Sequence, residues 1–313
     1  MLLGVVRSGL VESRHLVSVA AVDGGGSVVF RSGEEQGTPF FLRSAAKPFQ
    51  AAASQRCGAD LVPEQLAVAA ASHTAQPVHV ALVADMLASA GLEPEHLLCP
   101  PAWPSGEGAL RRLGAAGVTA PQRIFFNCSG KHTAMLRACR AQGWPLSYTD
   151  PGHPLQREIL AEVEASTGDP AGPVGVDGCG VPTFRGTVVG LARAFARLAV
   201  DPALAPVADA MSRFAPLTRD GDRPEAEIAR WLPAAVKGGA QGCVGVAWRG
   251  GLGVAAKCWT GEEAPALAAV TIALRRLGIL SEYGWEMLAA VARPVVLGGG
   301  APVGYLEVLE GGP

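Results

Sequence analysis

Arg43-Ser44-Ala45-Ala46-Lys47-Pro48-Phe49-Gln50 marks the point at which the chain changes character. Upstream, residues 2–6, 15–22 and 28–31 alternate or run apolar as strands do, and Asp23-Gly24-Gly25-Gly26-Ser27 supplies a hairpin turn. Downstream, the apolar spacing turns helical, beginning with a helix over residues 45–57 that stops at Gly58. Pro48 fits such a helix because amide hydrogens of a first turn have no partner inside it.

Further out, helices are predicted over residues 76–90, 131–142, 154–166, 183–198, 203–214 and 225–231, and Gly91 and Gly143 end two of them. A second hairpin, residues 243–248 and 252–259, flanks Arg249-Gly250-Gly251. A helix over 263–277 follows, then strands at 294–297 and 305–308. Strands at both ends with helices between them predict an α+β fold: an antiparallel sheet built from both chain ends, with an inserted helical lobe. The expected division is a single catalytic unit, with a sheet lobe of residues 1–43 plus 232–313 and a helical lobe of 44–231.

The 313 residues are 49% hydrophobic and 17% charged. About 25% charged is usual, so much of the surface is expected in a large core or an oligomer interface. A net charge of −2 argues against nucleic acid or an anionic membrane as the main partner. No apolar run approaches the ~18 residues of a membrane span. The first residues lack a signal-peptide pattern, so a cytoplasmic location is expected. Seven cysteines, an odd number, do not read as a disulfide framework.

Of 26 basic residues only four are lysines, at 47, 131, 237 and 257. Where arginine serves general surface charge, a lysine marks a place where a group able to lose its proton is useful. Ser44-x-x-Lys47 can bring hydroxyl and amine together on one helical face, near amide hydrogens suited to an oxyanion. A lysine base near neutral pH needs a depression of ~3 units, about 4 kcal/mol, from burial and nearby positive charge. A capping serine followed by a solvated lysine would give the same tetrapeptide. Ser72-His73-Thr74 ends an apolar run and reads as a cap or a site edge. Lys257 sits on an apolar strand, as a site group or an edge lysine. Lys237 precedes a turn, with exposed and site roles equally open. Cys128, Lys131 and the distant Cys179 offer two sulfurs and an amine, a donor set zinc accepts although lysine is a rare ligand. His132 and Asp177 stand beside them.

Arg43-Ser44-Ala45-Ala46-Lys47-Pro48-Phe49-Gln50, Ser72-His73-Thr74, Asn127-Cys128-Ser129-Gly130-Lys131-His132 and Asp177-Gly178-Cys179-Gly180-Val181-Pro182 together resemble the Rhizobium etli-type L-asparaginase family. The resemblance runs over nearly the whole chain. It implies a fold akin to serine β-lactamases and penicillin-binding proteins, a homodimer, and hydrolysis of L-asparagine to L-aspartate and ammonia. It pairs Ser44 with Lys47 and Ser72 with Lys257 as catalytic groups. It assigns Cys128, Lys131 and Cys179 to zinc, and Arg43, His132 and Asp177 to substrate contacts. Other readings are a β-lactamase- or peptidase-like serine hydrolase and a noncatalytic protein that binds amino acids or metal.

Overall fold

In the computed structural model, which describes residues 1–219 and 223–309, eight antiparallel strands form the main sheet. Their order is Val295–Gly298, Ala301–Val308, Leu2–Arg7, Leu10–Asp23, Leu252–Cys258, Cys243–Trp248 and Ala234–Gly239, with Val28–Ser32 also paired to Leu10–Asp23. The sheet is therefore assembled from both chain ends around a mostly helical middle, an α+β architecture. Leu10–Asp23 is the hinge of the layout: its first half pairs with Leu2–Arg7 and its second half with Leu252–Cys258.

Alternation along the strands gives the sheet two unlike buried faces. Val17, Val19, Ala21, Val236, Val244, Val246 and Val254 pack on one face, against Leu267, Val270 and Leu274 of the helix Glu263–Arg276. Ala20, Val22, Ala235, Ala247 and Ala255 face the other way, into the core of the helical lobe. Small residues dominate that second face because the helix Val188–Val200 presses close to it. A side chain at Gly253 would collide with the backbone of Ala192 and Ala196, so the approach requires glycine. Phe195 on this helix meets Phe49 edge-on at 5.8 Å, a contact worth about 1 kcal/mol beyond its buried area. That pair fixes the helix Lys47–Ser54 over the sheet.

The structure departs from expectation in two places. The helix predicted over 183–198 begins at Val188, because Thr187 caps it by accepting the Gly190 N–H at 2.9 Å. Residues Pro182–Thr183 and Arg185–Gly186 are short strands instead. The strand Ala234–Gly239 was not anticipated at all; Pro233 before it and Gly238-Gly239 at its end hide its alternation. Among the described residues no helix is long and apolar enough to cross a membrane.

Candidate active site

Ser44 sits in a 3-10 turn, Arg43–Ala46, that runs directly into the helix Lys47–Ser54. The sequence offered Ser44 as a helix cap, but no side-chain capping bond forms at either element. The turn is held from outside. Leu42 N–H donates to Phe184 O at 2.9 Å, Ala45 N–H donates to Leu42 O at 3.0 Å, and Arg43 takes a left-handed φ of 50°. A non-glycine residue in that region costs on the order of 1–3 kcal/mol, and tertiary contacts must supply it. Arg43 is tied down as well, its Nε donating to Asp177 Oδ1 at 2.7 Å.

Lys47 is fully buried and points inward, not to solvent. Its Nζ donates to Ser72 Oγ at 2.9 Å and to Ala71 O at 2.5 Å, so Ser72 rather than Ser44 receives it. A second buried amine meets the same hydroxyl: Lys237 Nζ lies 2.9 Å from Ser72 Oγ and donates to Gly238 O at 2.6 Å. Burial lowers the pKa of Lys47, and the charge of Lys131 adds to this while the Cys128 sulfur opposes it. Burial, then the charges of Lys47 and Arg219, hold Lys237 well below the ordinary lysine range. Two amines on one hydroxyl cannot both remain charged at low cost. A neutral amine among them can accept the Ser72 proton.

The structure does not bring Lys257, the partner expected for Ser72, to that hydroxyl. Lys257 lies on the strand Leu252–Cys258, with Cys243–Trp248 between it and Ala234–Gly239. That separates the two strands by roughly 10 Å. Lys257 Nζ donates to Gln241 O and Cys258 O and stands 5.6 and 5.5 Å from the ring centroids of Phe40 and Trp259. Lys237 and Lys257 lie on the same face of the sheet, two strands apart. Lys237 shares that face with Ala235, and a buried lysine flanked by small residues was the available signal.

Cys128, Lys131 and Cys179 do converge. Gly130 lets the start of the helix Ser129–Gln142 sit against Val68, whose carbonyl a Cβ would reach at 2.5 Å. Lys131 Nζ donates to Cys179 Sγ at 3.2 Å. A hydrogen bond from Cys179 holds the Cys128 thiol well below its ordinary pKa; burial opposes this, and the lysine charges assist. The Cys179 thiol is pushed up, first by that same hydrogen bond. The charge of the Cys128 sulfur also acts on the Lys47 amine, coupling the thiol corner electrostatically to Ser72. Burial of Asp177 is outweighed by Lys131 and Arg43, so its carboxyl is held down and charged. His132 is fully buried behind this corner, with Nδ1 2.8 Å from Tyr148 Oη and Nε2 without a hydrogen-bond partner.

Two sulfurs and one nitrogen suit zinc, with a coordination position left open, provided Lys131 loses its proton. Among the described residues no group of three or more His, Cys, Asp or Glu could hold a metal, so any site here depends on that lysine.

A cavity of ≈ 250 Å³ opens above the two serines. Ser44, Ser72, Thr74, Asn127 and Gly238 line it, and Arg219, Arg223 and Glu263 bring charge to its wall. None of those three was singled out in the sequence, where each stands in an ordinary polar stretch. Arg219 is held by Glu225 at 3.1 Å and Glu263 at 3.3 Å.

No curated protein sequence matches the chain. Among solved structures, Mglu in its native form is 14% identical with a TM-score of 0.48, covering 85% of this chain and 66% of that one. Mglu in its L-glutamate binding form is 16% identical at 0.47, covering 84% and 60%. A beta-lactamase from Burkholderia vietnamiensis is 16% identical at 0.33, covering 80% and 86%. The chain thus spans about two-thirds or less of the Mglu chains. The family model described as L-asparaginase II matches residues 3–308. On that match, over nearly its whole length, the chain belongs to the L-asparaginase II family, a family of amidohydrolases.

Proposed function

We propose that the protein hydrolyses L-asparagine to L-aspartate and ammonia through an acyl-enzyme on Ser44. The observation that carries this reading is Ser72 Oγ held at 2.9 Å by both Lys47 and Lys237, on the wall of the cavity that Ser44 also lines. Both hydrogen-bonding sides of the Ser72 oxygen are occupied by amines, which suits a proton relay better than an attacking group. Ser44 is half-buried and faces the cavity with an uncommitted oxygen, which suits a nucleophile.

Ser44 Oγ attacks the side-chain amide carbon, and its proton passes by way of the Ser72 hydroxyl to the neutral amine of the Lys47–Lys237 pair. Collapse of the tetrahedral species breaks the C–N bond. The leaving nitrogen takes a proton from the Ser72 hydroxyl, which is replenished from the flanking lysine. Water then attacks the acyl carbon, returning the Ser44 proton and releasing aspartate. Removal of a general base of this kind costs about 10²–10⁴ in rate.

Arg43 and Asp177, locked together beside this turn, and His132 behind it are proposed to shape the substrate's end of the site. Zinc, if taken up, would be held by Cys128, Lys131 and Cys179. When bound, it would supply a positive centre for the substrate's amino-acid head.

The test is ammonia release from L-asparagine, D-asparagine and L-glutamine. Ser44→Ala is expected to abolish release from L-asparagine; release at wild-type rates would end the assignment. Elemental analysis of the same preparations is expected to find zinc in wild type and Ser44→Ala but none in Cys179→Ala. Equal zinc in all three would remove the metal assignment.

A further inference from the structure

The segment carrying Ser72 has neither ladder nor helix to define it between the helices Pro63–Ala69 and Pro77–Ala88. Separate anchors set its course. Ser72 N–H donates to Thr218 O at 3.1 Å, and Gly106 N–H donates to Thr74 O at 3.3 Å. A further anchor is the ring of His73, which is fully buried. Its Nδ1 accepts the Ala75 N–H at 3.2 Å, and its Nε2 lies 2.9 Å from Ser129 Oγ. In a neutral imidazole the accepting nitrogen has no proton, so Nε2 carries it and donates to Ser129. Ser129 Oγ passes its own hydrogen to Ile124 O at 2.9 Å. Donor and acceptor order along this chain is therefore fixed. Burial, then the charges of His79 and Lys47, keep the ring neutral.

His73 follows Ser72, and Ser129 follows Cys128. One hydrogen bond thus joins the residue after the relay hydroxyl to the residue after the Cys128 thiol. Neither His73 nor Ser129 lines the cavity. We propose that His73 and Ser129 form a positioning pair that holds the Ser72 segment in register with the Cys128–Lys131 turn. The Ser72 oxygen then stays between Lys47 and Lys237. Misplacement of a reacting group by about 1 Å can cost on the order of 10²-fold in rate, so a single buried link here has kinetic consequences. The kinetic part of the test rests on the asparaginase reading; the structural part does not.

His73→Asn keeps an acceptor for the Ala75 N–H but does not reach Ser129. His73→Gln keeps a donor at the longer reach. Ser129→Ala removes the acceptor from the other side. Expected are kcat losses of about 10–100-fold for His73→Asn and for Ser129→Ala, with KM nearly unchanged. Partial recovery is expected in His73→Gln, and a double variant no worse than the poorer single. Hydrogen exchange across residues 71–75 should accelerate in His73→Asn. Wild-type kcat in the single variants, even with lowered melting temperature, would overturn the proposal, as would fully additive losses. If the wild type releases no ammonia from L-asparagine, the asparaginase reading fails and the exchange measurement decides. Loosened protection at 71–75 supports the link, and unchanged protection removes it.

Discussion

Lys237 and Lys257 are both buried, both on interior-facing strands, and both directed to the helical-lobe side of the sheet, yet their amines meet opposite surroundings. Lys237 ends against one carbonyl oxygen and a hydroxyl that a second buried amine shares. Lys257 ends on two carbonyl oxygens between two aromatic rings. Carbonyls and π faces stabilise an ammonium, whereas a neighbouring amine and full burial favour the neutral form. Burial lowers the pKa of both, but only Lys237 is held well below the ordinary range. The strand delivers the lysine, and what meets its nitrogen decides between chemistry and architecture.

The strongest challenge to this contrast is removal of each amine in turn. Lys237→Met is expected to lower kcat/KM for L-asparagine by about 10²–10⁴-fold. Lys257→Met is expected to keep activity within a few-fold while losing roughly 1–3 kcal/mol of stability, since two buried carbonyls lose their donor. Steady-state ammonia release and urea unfolding on both variants read the two effects. Comparable rate losses would mean that Lys257 belongs to the chemistry after all.

A smaller effect follows from the depressed pKa of Lys237. A base must be neutral to accept a proton, so kcat/KM should fall as pH drops through its lowered value. Stability moves in the same direction. Between the lowered folded value and the ordinary value of 10.5, the unfolded chain holds a proton that the folded chain does not. The unfolding free energy therefore rises with pH across that window and is lost as pH falls. Unfolding measured from pH 6 to 10 should show a shallower rise in Lys237→Met than in wild type. Identical slopes would show that Lys237 keeps its proton.

These two lysines also show how far the sequence could be read. The motif groups Ser44/Lys47, Ser72 and Cys128/Lys131/Cys179 stood out because each pairs reactive side chains at short spacing or among glycines. The layout of strands from both ends was readable from periodicity. Choosing between Lys237 and Lys257 needed the order of strands across the sheet, which period-2 alternation does not contain. Residues 243–248 and 252–259 advertise a hairpin through Arg249-Gly250-Gly251, while Ala234–Gly239 is six residues ending in two glycines. Arg219, Arg223 and Glu263 reach the cavity only through tertiary packing. The His73–Ser129 link joins residues 56 apart in the chain, and no local pattern announces it.

The finest discrimination lies in the aromatic corner. Phe40 and Trp259 meet edge-on at 6.2 Å and flank the Lys257 amine. Phe40 is three residues before Arg43, so this corner adjoins the turn that carries Ser44. If the corner is architectural, Phe40→Leu removes one π face and costs about 0.5–1 kcal/mol, while kcat stays within about twofold of wild type. Lys257→Met should make the same substitution cheaper, because the ring no longer has an ammonium to stabilise. A tenfold fall in kcat in Phe40→Leu at nearly unchanged stability would place the Lys257 corner in control of the Ser44 turn, and the separation drawn between the two lysines would not hold.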